Sequence, residues 1–543
     1  MVTVADLLEA RADDDAVALR FEDRSWTWRQ FVADCRRAAS VASSLRRPGP
    51  FHLGVLLDNT PDFLQWIGGA ALAGAAVVGI NATRRGGELA ADIRHTDCQV
   101  LITDRPHLEL LAGLDLDLPL VLVDDPAYDE RLAAADPSFS RVGGDHVLLL
   151  LFTSGSTGAP KAVVCSSSRL ATSGVTAAER FGLRTDDVLY EAMPLFHGNA
   201  LMANWAPALA LGATVALRRR FSASGFLPDV RRFGATYANY VGRALAYILA
   251  TPESPDDADN PLRLAFGTEA PAGDRERFAR RFGCVVVESY GSSEGVISIL
   301  ARAEMPAGAL GLPPEGTDVV VADPATGHEC PPARFDDGGR LLNAAEAVGE
   351  IVRRDPGGTF EGYYRNPEAD AERRREGWYW SGDLGYRDAE GWFYFAGRGA
   401  DRLRVDSENL AAAPIERVLQ RLPGVVVAAV YPVPDIRTGD QVMAALELVP
   451  GTAFGPEAFA AGLAAAPDLG TKEAPRFVRV VTGMPLTGSN KVDKGPLRAA
   501  AWRTDDPVWW RPERGGPYRR LTPEDADELA AELQRNGRAV LMP

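Results

Sequence analysis

The sequence predicts an α/β protein with a large, multi-layered N-terminal domain and a small α+β C-terminal domain. From residue 15 to about residue 350, apolar helical stretches alternate with short β-rich runs, as in layered α/β structure. From Gly349 onward the pattern changes to alternating aromatic and polar residues, which is typical of antiparallel hairpins. The length of 543 residues also exceeds that of a typical single domain several times over.

The N-terminal domain is predicted to span residues 1–398 and to contain mostly parallel, buried strands. Its β-rich runs are 51–57, 100–103, 120–123, 214–217 and 285–289. The apolar run from Trp66 to Ile80 is about 15 residues long, which falls short of the ~20 needed to span a bilayer. We interpret it as a buried helix followed by a strand, and residues 252–260 as a solvated loop.

The C-terminal domain is predicted to span residues 399–543, with a helix at 414–421 and a strand at 425–433. Beyond Trp502 the tail carries Trp509 and Trp510 and then a helix that begins at Thr522-Pro523. Asp525 lies three residues after that threonine, as in a capping box, and Gly537 closes the helix. We expect this tail to be a docked extension.

The composition excludes several classes of protein. A formal net charge of −16 makes nucleic acid an improbable partner, because there is no basic surplus to neutralise phosphates. The acidic N-terminus lacks the basic and apolar pattern of a signal peptide, so we expect a cytoplasmic protein without a transmembrane segment. The cysteines are odd in number, widely spaced and without a Cys-x-x-Cys pair, which argues against disulfides and zinc: Cys35, Cys98, Cys165, Cys284 and Cys330.

A glycine-rich loop is the most informative segment. The apolar run 148–152 predicts a buried strand, which leads into Thr-Ser-Gly-Ser-Thr-Gly-Ala-Pro-Lys. Glycines there expose consecutive backbone amides, and hydroxyls and a lysine add donors and charge for phosphate oxygens. The spacing is not that of a Walker loop, and a lone Gly-Ser-Thr-Gly is usually only a surface turn. The candidate phosphate-binding residues are Thr153, Ser154, Gly155, Ser156, Thr157, Gly158 and Lys161.

The whole string resembles the phosphate-binding signature of the adenylate-forming superfamily, which includes acyl-CoA synthetases, luciferases and peptide-synthetase adenylation domains. The resemblance covers roughly residues 21–498, with further motifs in the family's order. It implies an acid-thiol ligase that uses ATP and Mg²⁺ to make acyl-AMP from a small-molecule carboxylic acid. Coenzyme A, as co-substrate, then displaces AMP to give acyl-CoA.

Two segments resemble the nucleotide-binding motifs of that family. Residues 262–271 are similar to its adenine-side loop, and residues 287–295 to its Tyr-Gly-x-Thr-Glu motif, with Ser293 in place of the threonine. The resemblance implies that Tyr290 stacks on adenine and that Ser293 and Glu294 face the phosphates and Mg²⁺. Alone, each segment also fits a strand end with a capped turn. The remaining candidates are Gly267, Thr268, Glu269, Ala270, Glu288, Ser289, Gly291 and Ser292.

Two further motifs supply a ribose site and a catalytic lysine. Trp-Ser-Gly-Asp383 and Phe395-Ala-Gly-Arg398 resemble the family's ribose-binding pair, with Asp383 accepting hydrogen bonds from the ribose hydroxyls. Lys491 in Leu-Thr-Gly-Ser-Asn-Lys resembles the family's mobile catalytic lysine, which the small domain brings to the α-phosphate. Lys494 is the alternative, but it comes three residues late.

The segment Met-Pro-Leu-Phe-His197-Gly-Asn resembles the border of the family's acyl pocket. It implies a role for His197 near the reacting carboxylate, although a lone histidine is as readily structural. Residues 397–410, residues 237–243 and the long tail together resemble an actinobacterial subgroup that activates long-chain, steroid or polycyclic acids. A diterpenoid or steroid acid is a reasonable substrate. The candidate pocket walls are His197, Gly198, Asn199, Tyr237, Val241, Gly242 and Gly267.

The hinge between the domains departs from the family pattern. The family uses two arrangements of its small domain, one for each half-reaction, and residues 399–409 correspond to the switch. Ala400 stands where relatives carry a charged hinge residue, and Ser407 where they commonly have glycine; Asp401, Glu408 and Asn409 complete the candidate hinge and CoA tunnel. Two alternatives therefore stay open, a half-reaction enzyme and an enzyme that loads a separate carrier protein. A homodimer is compatible with either.

Overall fold

The structure is a computed structural model. It describes residues 2–135, 142–153, 161–268, 270, 272–302, 304–306, 308–337, 339, 341–398, 402–405, 408–435, 439–470, 472–488 and 490–536.

The strands in chain order are β1 (Val17–Phe21), β2 (Arg24–Thr27), β3 (His52–Leu56), β4 (Ala76–Gly79), β5 (Cys98–Thr103), β6 (Leu120–Leu122), β7 (Val147–Thr153), β8 (Lys161–Ser166), β9 (Val188–Glu191), β10 (Thr214–Leu217), β11 (Tyr237–Val241), β12 (Leu264–Thr268), β13 (Val285–Gly291), β14 (Ser298–Leu300), β15 (Val319–Ala322), β16 (Gly349–Arg353), β17 (Arg374–Arg375), β18 (Trp378–Arg387), β19 (Phe393–Arg398), β20 (Arg402–Val405), β21 (Glu408–Ala411), β22 (Val425–Pro434), β23 (Asp440–Leu448), β24 (Phe477–Val481), β25 (Val508–Trp510) and β26 (Arg519–Arg520).

The helices are α1 (Val4–Glu9), α2 (Trp28–Ser44), α3 (Pro61–Ala73), α4 (Gly86–His95), α5 (Leu108–Leu111), α6 (Pro126–Ala134), α7 (Ser167–Arg180), α8 (Gly198–Ala200), α9 (Ala206–Leu211), α10 (Phe226–Phe233), α11 (Gly242–Leu249), α12 (Ala272–Phe282), α13 (Ala344–Ala347), α14 (Pro367–Arg373), α15 (Ala412–Gln420), α16 (Pro456–Ala465), α17 (Lys494–Ala500) and α18 (Pro523–Arg535). A 3₁₀ turn occupies Arg105–His107, and a π-helical turn, Leu201–Trp205, joins α8 to α9.

Two mainly parallel sheets form the large N-terminal region. One has the order β14-β13-β12-β11-β9-β10-β1-β2 and the other β6-β5-β3-β4-β7-β8, with antiparallel neighbours only at their edges. One hydrophobic cluster contains buried residues of both sheets and of helices α2, α3 and α7. The predicted parallel layers are confirmed, and the apolar run at 66–80 is indeed the end of α3 followed by β4.

The prediction of a buried strand at 285–289 is wrong, because Val285 is exposed and residues 286–289 are only partly buried. Val285 is 60% exposed, whereas every residue of β3 and β5 is buried. The reason is position, because β13 lies next to the sheet edge and β14 covers only its last three residues. The loop at 252–260 is largely exposed as predicted, but Asp257 within it is buried in an ion pair with Arg281 at 2.6 Å.

The region after Gly349 is antiparallel, as predicted. Strands β15, β16, β18 and β17 form one sheet, and β19 pairs with β18. Beyond it lie the β20-β21 ribbon and a smaller sheet of order β22-β23-β24-β25-β26, which α15 contacts. No helix among the described residues is both long and apolar enough to cross a membrane.

The tail extends the small sheet instead of lying apart from it. Strand β25 pairs with β24, and the rings of Trp502 and Trp510 stack on Phe477 with centroids 5.1 and 5.8 Å apart. The capping box of Thr522 and Asp525 is present at the start of α18. The predicted docked extension is therefore an integral part of the small domain's core.

Candidate active site

The predicted phosphate loop connects two paired strands. Strand β7 ends at Thr153 and β8 begins at Lys161, and these two residues are register partners in an antiparallel pair. The hairpin therefore delivers the loop to the end of a buried sheet. The residues Ser154, Gly155, Ser156, Thr157 and Gly158, and the side chain of Thr153, lie outside the described part of the chain.

Lys161 supplies a cation beside that loop. Only 6% of the residue is exposed, and its Nζ lies 2.9 Å from Oε2 of Glu372 and 6.0 Å from the centroid of the Tyr363 ring. The hydrogen bond from Lys161 lowers the pKa of Glu372, so that carboxylate stays ionised. A buried ammonium is thus compensated by a carboxylate whose side chain is 56% exposed.

Tyr290 and Asp383 meet at the proposed ribose site. The Tyr290 hydroxyl donates to Oδ2 of Asp383 at 2.7 Å, and the Tyr290 ring centroid lies 6.4 Å from that of Phe395. Strands β18 and β19 place Asp383 and Arg398 directly opposite each other. The Arg398 side chain lies outside the described residues, so its contact with a nucleotide stays a prediction.

Glu294 lies beneath the same end of β13 and is 7% exposed. Its Oε1 accepts a hydrogen bond of 2.6 Å from the Tyr363 hydroxyl, and its Oε2 accepts none from the residues that the structure describes. Burial, followed by the Glu294 charge, raises the pKa of Tyr363, so the hydroxyl keeps its proton and donates. Arg169 on α7 holds the adjoining backbone by donating to the Ser293 carbonyl.

These residues fit a magnesium ion bound together with phosphates. Mg²⁺ prefers oxygen ligands and is usually held by one or two carboxylates plus substrate phosphates and water. Glu294 offers one carboxylate oxygen that accepts no hydrogen bond from the described part of the chain, and Ser293 precedes it in the sequence. The described residues contain no group of three or more acidic, histidine or cysteine side chains that could hold a metal alone. The phosphates would therefore have to supply the remaining ligands.

The adenine-side loop is held by Glu288. The Glu288 carboxylate accepts from the backbone N–H of Ala270 at 2.6 Å and from the Tyr240 hydroxyl at 3.2 Å. Gly267 lies opposite Tyr240 in the β11-β12 pair, and a Cβ at Gly267 would stand 2.4 Å from the Tyr240 ring. Thr268 ends β12, whereas Glu269 lies outside the described residues. Glu288 thus positions the loop from beneath.

His197 lies at the start of the helical stretch 198–211. A Cβ on Gly79 would stand 2.9 Å from the Phe196 carbonyl oxygen, so only glycine lets the end of β4 pack on this segment. Nε2 of His197 is buried and has no hydrogen-bond partner among the described residues. Burial, and then the charge of Lys491, lowers the pKa of His197 to about 3. The imidazole is therefore neutral at ordinary pH.

Lys491 belongs to a tight turn that reaches the large domain. The Thr487 N–H donates to the Lys491 carbonyl at 2.8 Å, and Asn490 adopts a left-handed backbone with φ 59°. A Cβ on Gly488 in this turn would stand 2.4 Å from the amide of Asn81, which follows β4. The turn therefore lies against the end of β4, beside His197. Lys494 instead pairs with Glu416 at 2.8 Å.

The predicted acyl-pocket walls do not all lie together. Tyr237 and Val241 share one face of β11, whereas Gly267 lies beside Tyr240 on the opposite face, so the structure does not bring Gly267 to the same wall. Oδ1 of Asn199 accepts from the Asn239 amide at 2.9 Å, and the Tyr237 hydroxyl donates to the Ala203 carbonyl at 2.6 Å. Val241 is buried, and α11 begins at Gly242. A Cβ on Gly198 would stand 3.7 Å from the Ser293 hydroxyl, so the acyl and nucleotide residues adjoin.

The predicted hinge is only partly described. Strands β20 and β21 pair across it, and Leu403 and Val405 are fully buried. Ala400, Asp401 and Ser407, and the side chains of Glu408 and Asn409, lie outside the described residues.

Several residues of this site could not be found from the sequence. Glu372, Arg373 and Tyr363 lie between recognised motifs. Asn81 follows β4 and Glu191 ends β9, and neither belongs to a recognised motif. The Glu-Gly-Tyr-Tyr segment around Tyr363 carries no distinct signal. Only the folded chain brings these side chains to the nucleotide and acyl residues.

Comparison with known proteins identifies the family. Residues 8–364 match the model of AMP-binding enzymes, and residues 414–491 match the AMP-binding enzyme C-terminal domain. The chain is 53% identical to a steroid-22-oyl-CoA synthetase of Rhodococcus jostii, over 99% of this chain and 98% of the relative. It is 48% identical to a medium/long-chain-fatty-acid–CoA ligase of Mycobacterium tuberculosis, over 93% of this chain and 98% of the relative.

Solved structures agree on the fold. A benzoate CoA ligase from Burkholderia xenovorans superposes with a TM-score of 0.80 at 22% identity, covering 92% of this chain and 100% of the other. ATP-bound MatB from Rhodopseudomonas palustris gives a TM-score of 0.79 at 24% identity, covering 92% and 99%. The matched models cover most of the chain, and the relatives match it nearly end to end. The chain therefore belongs to the AMP-binding enzyme family.

Proposed function

We propose that this protein is an AMP-forming acyl-CoA ligase for a bulky hydrophobic carboxylic acid. The relatives named for steroid-22-oyl and medium- or long-chain fatty acyl substrates support this substrate class. A long-chain, steroid or diterpenoid acid fits it equally well. ATP, Mg²⁺ and coenzyme A are the co-substrates and metal that the family requires.

The position of the Lys491 turn carries the proposal. The turn lies against Asn81, and its lysine is close enough to His197 for its charge to help lower the histidine's pKa. This arrangement suits the first half-reaction, in which a carboxylate oxygen attacks the α-phosphorus of ATP and pyrophosphate leaves. Lys491 would neutralise charge on the reacting oxygens, and neutral His197 would orient the acid without adding charge.

The nucleotide would be held by residues already brought together. Asp383 would accept from the ribose hydroxyls, Lys161 would pair with phosphate oxygens, and Ser293 and Glu294 would hold Mg²⁺. The metal would supply positive charge against the phosphates. In the second half-reaction, the thiol of coenzyme A attacks the acyl carbon and AMP leaves with the carboxylate oxygen.

The second step is proposed to need a different arrangement of the small domain. We place the domain boundary at residues 398 and 399, with the hinge at 399–409. Ala400 and Ser407 motivate the alternative of a half-reaction enzyme. An adenylating enzyme that loads a separate carrier protein is the second alternative. A cytoplasmic location and a homodimer stay predictions.

A panel of acids tests the proposal. Straight-chain, steroid and diterpenoid acids would be offered with MgATP, and pyrophosphate release would be measured separately from thioester formation. A full ligase releases pyrophosphate and forms thioester with the same acid. Conversion of supplied acyl-AMP to thioester without pyrophosphate release would support the half-reaction alternative instead.

Replacement of Lys491 tests the role of the turn. Lys491→Ala is expected to lower pyrophosphate formation by about 10²–10³-fold, because a charge aimed at the transition state is lost. Thioester formation from supplied acyl-AMP should stay within about threefold, since this step needs no α-phosphate attack. Lys494→Ala is the matched control, because Lys494 pairs with Glu416 outside the turn. Equal loss of both half-reactions in Lys491→Ala would contradict the assignment.

A further inference from the structure

Helix α14 ends beside the proposed nucleotide site and carries Arg373 as its last residue. Nε of Arg373 donates to the Tyr363 hydroxyl at 3.1 Å, and that hydroxyl donates to Oε1 of Glu294 at 2.6 Å. The hydroxyl thus accepts from the guanidinium while it donates to the carboxylate. Arg373 is in this way connected to Glu294 through one hydrogen-bonded oxygen.

The same guanidinium also touches the ribose turn. Nη1 of Arg373 donates to the Trp380 carbonyl at 3.3 Å. Gly382 has φ +77°, and a Cβ there would stand 2.2 Å from Nη1, so the turn and the guanidinium are in direct contact. Asp383 follows immediately, with its Oδ2 bound by Tyr290.

These contacts close a ring around the nucleotide residues. From Glu294 the ring passes through Tyr363 and Arg373 to the turn before Asp383. It then returns through Tyr290, which lies four residues before Glu294 on the same segment. Glu294 is buried and Asp383 is half-buried, and polar groups in such positions need hydrogen-bond partners. Networks of these bonds act together more strongly than isolated pairs.

We propose that Arg373 is a positioning residue, which acts through Tyr363 to fix the Glu294 carboxylate for MgATP and acts directly to fix the Asp383 turn. The inference rests on the proposed function, because that function assigns Glu294 to Mg²⁺ and Asp383 to ribose. Neither Arg373 nor Tyr363 belongs to the motifs by which the nucleotide site was located. A planar guanidinium suits the task because its donors point in fixed directions.

The two half-reactions separate this role from a purely structural one. Mg²⁺ and pyrophosphate take part only in the first, whereas the AMP moiety is bound in both. Loss of the Tyr363 hydroxyl should therefore affect only the first half-reaction. Loss of the Arg373 fork should affect the first strongly and the second weakly.

The test compares Tyr363→Phe and Arg373→Lys with the wild type. Tyr363→Phe should weaken binding of ATP about tenfold when Mg²⁺ is present, measured by calorimetry, and leave binding without Mg²⁺ unchanged. Pyrophosphate formation should fall about as much, and thioester formation from supplied acyl-AMP should change less than twofold. Arg373→Lys keeps the charge but not the fork, and should weaken ATP binding with and without Mg²⁺.

The control is Arg374→Ala, which removes the same charge from the next residue, whose guanidinium donates to the Phe360 carbonyl. It should leave both affinities at the wild-type level.

Equal losses in both half-reactions for Tyr363→Phe, with normal MgATP affinity, would overturn the inference. Glu294→Gln tells its failure from that of the proposed function. If Glu294→Gln abolishes the Mg²⁺ effect and Tyr363→Phe does not weaken it, only the inference fails. If Glu294→Gln has no effect, the metal assignment fails and the inference with it.

Discussion

The two sides of the site differ in how their polar groups are satisfied. On the nucleotide side, defined as Lys161, Glu294, Asp383 and their partners, no fully buried polar atom of these side chains lacks a hydrogen-bond partner in the described part of the chain. Lys161 pairs with Glu372 at 2.9 Å, Glu294 with Tyr363 at 2.6 Å and Asp383 with Tyr290 at 2.7 Å. The acyl side is defined as His197 and the two residues hydrogen-bonded to the Asn239 side chain, Glu191 and Asn204. One buried polar atom of each of these side chains lacks a partner among the described residues. These atoms are Glu191 Oε2, His197 Nε2 and Asn204 Oδ1.

The two sides differ in the hydrogen bonds that a ligand breaks and forms when it binds. A nucleotide meets side chains that are already paired, so it has to exchange one set of charge-assisted hydrogen bonds for another. Burial disfavours charge on the acyl side, because it raises the pKa of Glu191 and lowers that of His197 to about 3. Unpaired buried polar atoms are costly and call for a water or a ligand atom. Binding there completes hydrogen bonds instead of exchanging them.

Breaking the Asp383 pair should have the largest effect on this comparison. Asp383→Asn removes the charge that accepts from Tyr290 and, as proposed, from the ribose. We expect a loss of about 10²-fold in both half-reactions, because the AMP moiety is bound in each. Pyrophosphate release and conversion of supplied acyl-AMP would be measured side by side. Glu390→Gln, an exposed carboxylate on the same hairpin, is the control. A loss confined to pyrophosphate release would contradict the ribose assignment.

A smaller effect is expected from the acyl side, through pH. The pKa of His197 falls from 6.5 to about 3 on folding, so between these values the unfolded chain binds more protons than the folded one. The contribution of neutral His197 to the free energy of unfolding is fully present above pH 6.5 and is lost as the pH falls toward 3. As the pH is lowered from 7.5, the free energy of unfolding should therefore fall more steeply in the wild type than in His197→Asn. Urea denaturation at pH 7.5, 6.0 and 5.0 measures this.

The control for that experiment is His328→Asn, because His328 is exposed and far in sequence from the site. Its unfolding free energies should follow the wild type across the three pH values. Parallel pH dependence of the wild type and His197→Asn would show that His197 is not held neutral by burial. The acyl side would then no longer differ from the nucleotide side in this respect.

Features that depend on neighbouring residues in the sequence could be predicted, whereas contacts between distant segments could not. The strand before Thr153, the parallel layers and the hairpins after Gly349 follow from local periodicity, which the strands confirm. Asp383 and Arg398, which the family resemblance pairs, lie opposite each other in one hairpin, while their contact with ribose stays a prediction. Glu372 and Tyr363 reach Lys161 and Glu294 only through tertiary packing, and no spacing rule encodes that. The exposure of Val285 likewise depends on which strand lies at the sheet edge.

The smallest expected effect is a lower KM for ATP. It tests whether the ion pair of Lys161 with Glu372 on the nucleotide side competes with the nucleotide. The Glu372 carboxylate forms an ion pair with the Lys161 ammonium, and the hydrogen bond from Lys161 lowers the pKa of Glu372. A triphosphate that binds Lys161 therefore has to displace an ionised carboxylate. The Glu372 side of this ion pair is 56% exposed, so water screens the pair in part, and Glu372→Gln should lower the KM for ATP by about two- to fivefold with kcat unchanged. The gain should shrink at high salt. Glu368→Gln, exposed on the same helix, should leave KM unchanged. A raised KM in Glu372→Gln would mean that Glu372 positions Lys161 for the nucleotide instead of competing with it.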